Sequence, residues 1–119
     1  MNMTFSFLNK DILCVEADLE CNLEEGYYVF EYGNQTFRVR ADEDFHFVKE
    51  GKEDVFEIFR SSHDKRCTYT LKKENLSFDI KILDLKVKKE DKKVTIKYNI
   101  ESDVEDVVYN TKTVILDFK

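Results

Sequence analysis

The chain predicts an all-β fold, an antiparallel up-and-down β-barrel of about eight to ten strands. Three observations predict it. Apolar residues fall at alternate positions along most of the chain, the pattern of strands with one buried face and one wet face. The connections between these runs are short polar tips, too short for the crossovers that parallel strands need. No segment of useful length carries apolar residues at helical spacing. The last third, Leu76 to Lys119, states the pattern most clearly. Leu76, Phe78, Ile80 and Ile82 alternate with Ser77, Asp79 and Lys81. Val94, Ile96, Tyr98 and Ile100 alternate with Thr95, Lys97, Asn99 and Glu101, and Val114, Leu116 and Phe118 close the chain. Charged tips at 88–93 and 102–106 join the three runs into a meander.

The elements follow in order. Met3, Phe5 and Phe7 form a short first strand, and Asn9-Lys10-Asp11 turns the chain. Leu13, Val15, Ala17, Leu19 and Cys21 form a second strand with an acidic outer face of Glu16, Asp18 and Glu20. Asn22 to Gly26 reads as a loop in which Gly26 accepts a positive φ. The aromatic run Tyr27 to Tyr32 is a strand whose faces alternation does not assign, and Gly33-Asn34 is a two-residue hairpin signal. Phe37, Val39 and Ala41 alternate with Arg38 and Arg40. After the acidic turn Asp42 to Asp44, Phe45 and Phe47 share one face and His46 and Val48 the other. Val55 to Arg60 is again ambiguous, Ser61 to Lys65 is a loop tip, and Cys67, Tyr69 and Leu71 lead into the meander. Within the meander the apolar residues switch from even numbers, up to Ile82, to odd numbers, Leu83, Leu85 and Val87. A one-residue slip exchanges the faces, so the sequence predicts a β-bulge near Ile82 and Leu83.

At 119 residues the chain is expected to form one domain, 1–119, long enough for a core without disulfides or metal. It is 42% hydrophobic and 37% charged, a composition of globular rather than disordered proteins. No apolar run approaches the roughly 20 residues of a membrane helix, and no membrane partner is expected. The start, Met1-Asn2-Met3-Thr4, lacks a basic region and cleavage site, which favours a cytoplasmic location. The net charge of -6 argues against nucleic-acid binding, which needs surplus Lys and Arg. The three cysteines, Cys14, Cys21 and Cys67, have no CxxC spacing and read as buried reduced thiols.

The run Val15 to Cys21, the turn Asn22 to Gly26 and the strand Tyr27 to Tyr32 resemble a strand, turn and aromatic strand of the YwiB-like family of uncharacterised bacterial proteins. Asn75 to Lys81, Val94 to Ile100 and Asn110 to Val114 are similar to that family's closing meander. The resemblance implies a calycin-like, lipocalin-related β-barrel. It brings no established activity and therefore no functional residues. Two departures stand out: the N-terminal hairpin is shorter, and Leu71-Lys-Lys-Glu-Asn75 replaces a turn rich in tyrosine and glycine.

No residue pattern points to catalysis, to a metal or to a cofactor, and the chain is not expected to be an enzyme. Ser61-Ser62-His63-Asp64 holds the residue types of a hydrolase triad, but neighbours in one turn do not converge on a centre, and a solvated turn explains them. His46, between Phe45 and Phe47, reads as a lone surface histidine; the alternative is an imidazole that reaches a partner across the sheet. The acidic tips 42–44 and 103–106 lack the glycine and ligand spacing of a calcium loop. Arg38, Arg40, Arg60 and Arg66 are expected to pair with cross-strand acids such as Glu31 or Glu57; gathered together, they would instead bind an anion or a carboxylate. The expected function is a binding module for a small apolar or amphipathic ligand, lined by Phe47, Tyr69, Phe78 and Tyr98. The alternative is a filled barrel that meets a protein partner or a second copy through the aromatic run 27–32.

Overall fold

The computed structural model describes residues 1–101 and 111–119. Among them there is no helix, and eleven strands follow one another: β1 (Asn2–Asn9), β2 (Ile12–Glu20), β3 (Asn22–Glu24), β4 (Tyr27–Tyr32), β5 (Gln35–Ala41), β6 (Phe45–Glu50), β7 (Asp54–Arg60), β8 (Lys65–Leu71), β9 (Leu76–Lys89), β10 (Lys93–Glu101) and β11 (Lys112–Phe118). The sheet order is β2-β1-β11-β10-β9-β8-β7-β6-β5-β4-β3. Strands consecutive in sequence are neighbours, save β2 and β3, and β1 lies antiparallel beside β11. This is the all-β, antiparallel, up-and-down order that the alternating pattern predicts. The tip 102–106 and the acidic cluster 103–106 lie outside the described residues.

The strand beyond the expected count is β3, which the sequence reads as loop. Glu25 and Gly26 both have positive φ, 51° and 85°, so a two-residue turn reverses the chain at once. The residues before it then pair directly with those after it, Glu24 with Tyr27 and Leu23 with Tyr28. Gly33, at φ 62°, makes the next hairpin between Tyr32 and Gln35, as Gly33-Asn34 predicts.

The chain divides into two compact units. The first comprises residues 1–19 and 81–119. Met3, Phe5, Val94, Ile96, Tyr98, Val114 and Leu116 are buried in it. Phe5 and Val94 both face Leu116, and Ile96 faces Val114, so one row of apolar residues crosses β1, β11 and β10. The predicted bulge is present. Asn99 pairs with Asp84 but Ile100 pairs with Ile82, which leaves Leu83 unopposed. Leu83 is not on the core face, as the odd-number pattern suggests, but 43% exposed: as the extra residue it leaves the ladder, and burial resumes at Leu85 and Val87. The Asp18 carboxylate accepts hydrogen bonds from the Thr4 hydroxyl and the Lys119 ammonium, which hold it below the usual carboxylate range.

The second unit, residues 20–80, buries Cys21, Phe30, Phe37, Val39, Ala41, Phe45, Phe47, Ile58 and Cys67. Phe30 and Phe37 are directly opposed on β4 and β5 and stack with centroids 5.0 Å apart. Phe47 meets Phe37 and Phe56 edge-on. Register settles the two ambiguous strands. On β4, Tyr28 and Phe30 oppose Val39 and Phe37 on the core face, which leaves Tyr27 and Val29 on the other face. On β7, Ile58 opposes Phe47 in the core, which leaves Val55, Glu57 and Phe59 outside. The cysteines are free. Cys21 and Cys67 are buried, but Cys14 is exposed, contrary to the expectation for all three, because it sits on the acidic wet face of β2. No helix among the described residues is long and apolar enough to cross a membrane.

Candidate functional site

The outer face of the second unit carries a half-open groove of about 380 Å³, lined by Tyr27, His46, Glu57, Phe59, Arg66 and Thr68. All six stand on one face by strand alternation. His46 is directly opposite Phe59 on β7, Phe59 is opposite Arg66 on β8, and Glu57 is opposite Thr68. One step beyond the Tyr28–Val39 pair, Tyr27 lies beside Arg40, and Arg40 is opposite His46. A row of three rings and two cations therefore crosses five strands: Tyr27, Arg40, His46, Phe59, Arg66.

The side chains of this row are locked to one another. Tyr27 reaches over β5, and its hydroxyl shares a hydrogen bond of 2.7 Å with His46 Nδ1. His46 Nε2 donates to Glu57 Oε1 in a close contact. A carboxylate accepts, so Glu57 takes the hydrogen on Nε2 and turns Nδ1 toward the phenol oxygen. The three rings meet edge to face, Tyr27 on His46 at 5.6 Å and 72°, His46 on Phe59 at 5.9 Å and 81°. Such arrangements place the positive edge of one ring on the negative face of the next. His46 is thus not the lone surface histidine of the simpler sequence reading but the alternative, an imidazole with partners across the sheet.

Cations border the groove at both ends. Arg66 lies over the Phe59 ring, its guanidinium carbon 4.9 Å from the centroid. Arg38 and Arg40 both lie over the Tyr27 ring, at 5.6 and 5.8 Å. The expected pairing of these arginines with Glu31 or Glu57 does not occur among the described residues, because Glu57 is taken by His46 and Glu31 stands opposite Thr36. Arg66 pairs instead with Asp64 of its own turn at 3.0 Å, and Arg40 approaches Asp42 at 3.9 Å. Arg60 stands on the other face, over the Phe45 ring. The Ser61 turn is the solvated turn that its composition predicts: Ser61 Oγ accepts hydrogen bonds from the backbone of His63 and Asp64.

The four residues expected to line a ligand site lie elsewhere. Phe47 is fully buried in the aromatic core of the second unit. Tyr69 and Phe78 are cross-strand partners on that same core face, opposite to the groove. The Tyr69 hydroxyl donates to Asp54 at 2.7 Å, a bond that raises its pKa, and Phe78 is 49% exposed. Tyr98 is buried in the first unit. The groove residues escaped the sequence reading because Tyr27, Glu57 and Phe59 belong to the two strands whose faces alternation leaves open. The visible signals were His46 between two phenylalanines and Arg66 among the arginines beside aromatics. Among the described residues no group of three or more His, Cys, Asp or Glu is placed to hold a metal ion.

What the fold and groove define is a class, an all-β antiparallel meander protein with a ring-lined groove on the outer face of its second unit. Comparison of the chain with protein-family models, with curated proteins and with solved structures finds no match.

Proposed function

We propose that this protein is a non-catalytic binding module for a small amphipathic ligand and that the outer-face groove is its site. The observation that carries the reading is the composition of the groove wall. Ring bodies of Tyr27, His46 and Phe59 alternate with a carboxylate, a guanidinium and the Thr68 hydroxyl. Ligand pockets combine apolar walls with a few placed polar groups, and about 380 Å³ falls within their usual range of roughly 300–1,000 Å³. The hydrogen bonds from Tyr27 to His46 to Glu57 hold the rings in place before a ligand arrives, which lowers the ordering cost of binding. The YwiB-like resemblance, a calycin-like barrel and a cytoplasmic location accompany this reading as expectations of the same proposal.

The second reading, a module that meets a protein partner or another copy, is supported by a different observation. Leu76 and Phe78 on β9 are half exposed, an amount of apolar surface that a partner would cover. Titration with an environment-sensitive dye, together with native mass spectrometry of the freshly purified protein, separates the two. Dye uptake that Phe59→Ala abolishes is the expected result. Absence of uptake and of any co-purified ligand, with self-association lost on Phe78→Glu, would favour the second reading.

A further inference from the structure

On the wet face of a sheet, cross-strand charges usually neutralise one another. The Tyr27 end of the groove departs from this. Arg38 and Arg40 converge on a single ring, at 5.6 and 5.8 Å from its centroid. Arg38 makes no hydrogen bond or ion pair among the described residues, and its only such contact is the Tyr27 ring. Arg40 has only a loose approach of 3.9 Å to Asp42; its Nε is shielded from solvent, and the terminal nitrogens of its partly exposed guanidinium are the donors it offers a ligand. Two adjacent guanidinium forks with unused donors match the oxygens of a doubly charged phosphate better than a single carboxylate. The other end of the groove has different chemistry. There the Phe59–Arg66 stack offers a flat surface at 4.9 Å spacing, a platform on which planar rings lie well. Between the two ends stands Glu57. One of its oxygens accepts from His46, and the carboxylate lines the groove. A carboxylate there repels an anion and accepts N–H donors, so it sets the direction of the ligand.

We propose that the groove binds a planar nitrogen-bearing ring that carries a phosphate monoester, a ligand of the mononucleotide kind. This inference rests on the groove being the binding site. The phosphate is received by Arg38 and Arg40 beside Tyr27, the ring lies against Phe59 and Arg66, and the N–H edge of the ring faces Glu57. The site is built for one small molecule and not for a polyanion, in keeping with the net charge of -6.

The test is isothermal titration calorimetry at low salt with adenosine 5′-monophosphate, adenosine, phenyl phosphate and inorganic phosphate as probes. The nucleotide is expected to bind at least tenfold more tightly than each of the other three. Raising the salt is expected to weaken it. Arg38→Ala should bring the nucleotide to the affinity of adenosine, and Arg38→Lys, which keeps the charge and loses the fork, should lie between. Lys86→Ala, which removes an equal charge from an exposed position on β9, should change nothing. Equal affinity for nucleotide and nucleoside, inorganic phosphate as tight as the nucleotide, or an equal loss from Lys86→Ala would each overturn the inference. Failure here is distinguishable from failure of the binding-module reading. Dye uptake that depends on Phe59 with no preference for the nucleotide ends this inference alone, whereas no uptake of any probe ends both.

Discussion

Tyr98 and Lys97 are adjacent in the chain and opposite in fate. Tyr98 is 8% exposed in the core of the first unit, while Lys97 is exposed on the other face of β10. Tyr98→Ala removes a large ring from a packed layer and is expected to cost about 3–5 kcal/mol, as aromatic-to-alanine core changes do. Lys97→Ala is expected to stay within about 0.5 kcal/mol. Urea unfolding of the two variants measures the contrast, and equal losses would contradict the register of β10. The thiols differ in the same way. Cys14 is exposed and Cys67 is buried at 1% exposure. A maleimide should therefore label Cys14 in the native protein and reach Cys67 only on unfolding. Fast native labelling of Cys67 would be inconsistent with its place beside Ile58 and Ile80.

Among the elements, β9 is the one whose irregularity has a cause in the sequence. Its 14 residues cannot keep one face buried while the apolar positions change from even to odd, and the extra residue Leu83 absorbs the change. Leu83→Ser should alter stability by less than about 0.5 kcal/mol, since the side chain is largely exposed. Deleting Leu83 should do far more. It would close the bulge and force either the residues before it or those after it onto the wrong face. Thermal unfolding of both variants checks this, and a well-tolerated deletion would show that the bulge is not what reconciles the two halves of the strand. The same element-scale reasoning explains β3. Sequence favours a loop there because Asn, Glu and Gly cluster. The two positive φ values at Glu25 and Gly26 make the turn so tight that three residues on one side have no course but to pair.

For the molecule as a whole, alkaline pH tests the burial of its core. Desolvation pushes the Cys67 thiol up to about 12 from an ordinary value of 9.0, and burial raises Cys21 as well. A thiol whose folded pKa lies above its unfolded one keeps its proton in the folded chain and loses it in the unfolded chain. Its contribution is fully present below pH 9.0 and is lost as the pH rises toward about 12, at about 1.4 kcal/mol per pH unit in that window. Lysines and tyrosines titrate there too, so the measurement is a comparison. Unfolding free energy followed from about pH 8 to pH 11 should fall more steeply in the natural protein than in Cys67→Ala, although the variant is less stable at neutral pH through lost packing. Parallel slopes would mean that water reaches Cys67.

Alternation, turn chemistry and charge determined by themselves the strand-rich class, the antiparallel order, the position of the bulge and most of the core. These properties are local: a residue's face follows from its neighbours two positions away, and a hairpin from the two residues at its tip. The groove is not local. Tyr27 and His46 are 19 residues apart, and Glu57 is 11 further on. They meet only because the pairing register of β4 through β8 places them on one face, and in β4 and β7 aromatic residues occupy both faces and erase the signal. The arginines show the same division. The sequence places Arg38, Arg40 and Arg66 beside aromatics, but their partners depend on which acid stands opposite. The tertiary structure decided this when His46 took Glu57 and left two guanidinium groups gathered over one tyrosine.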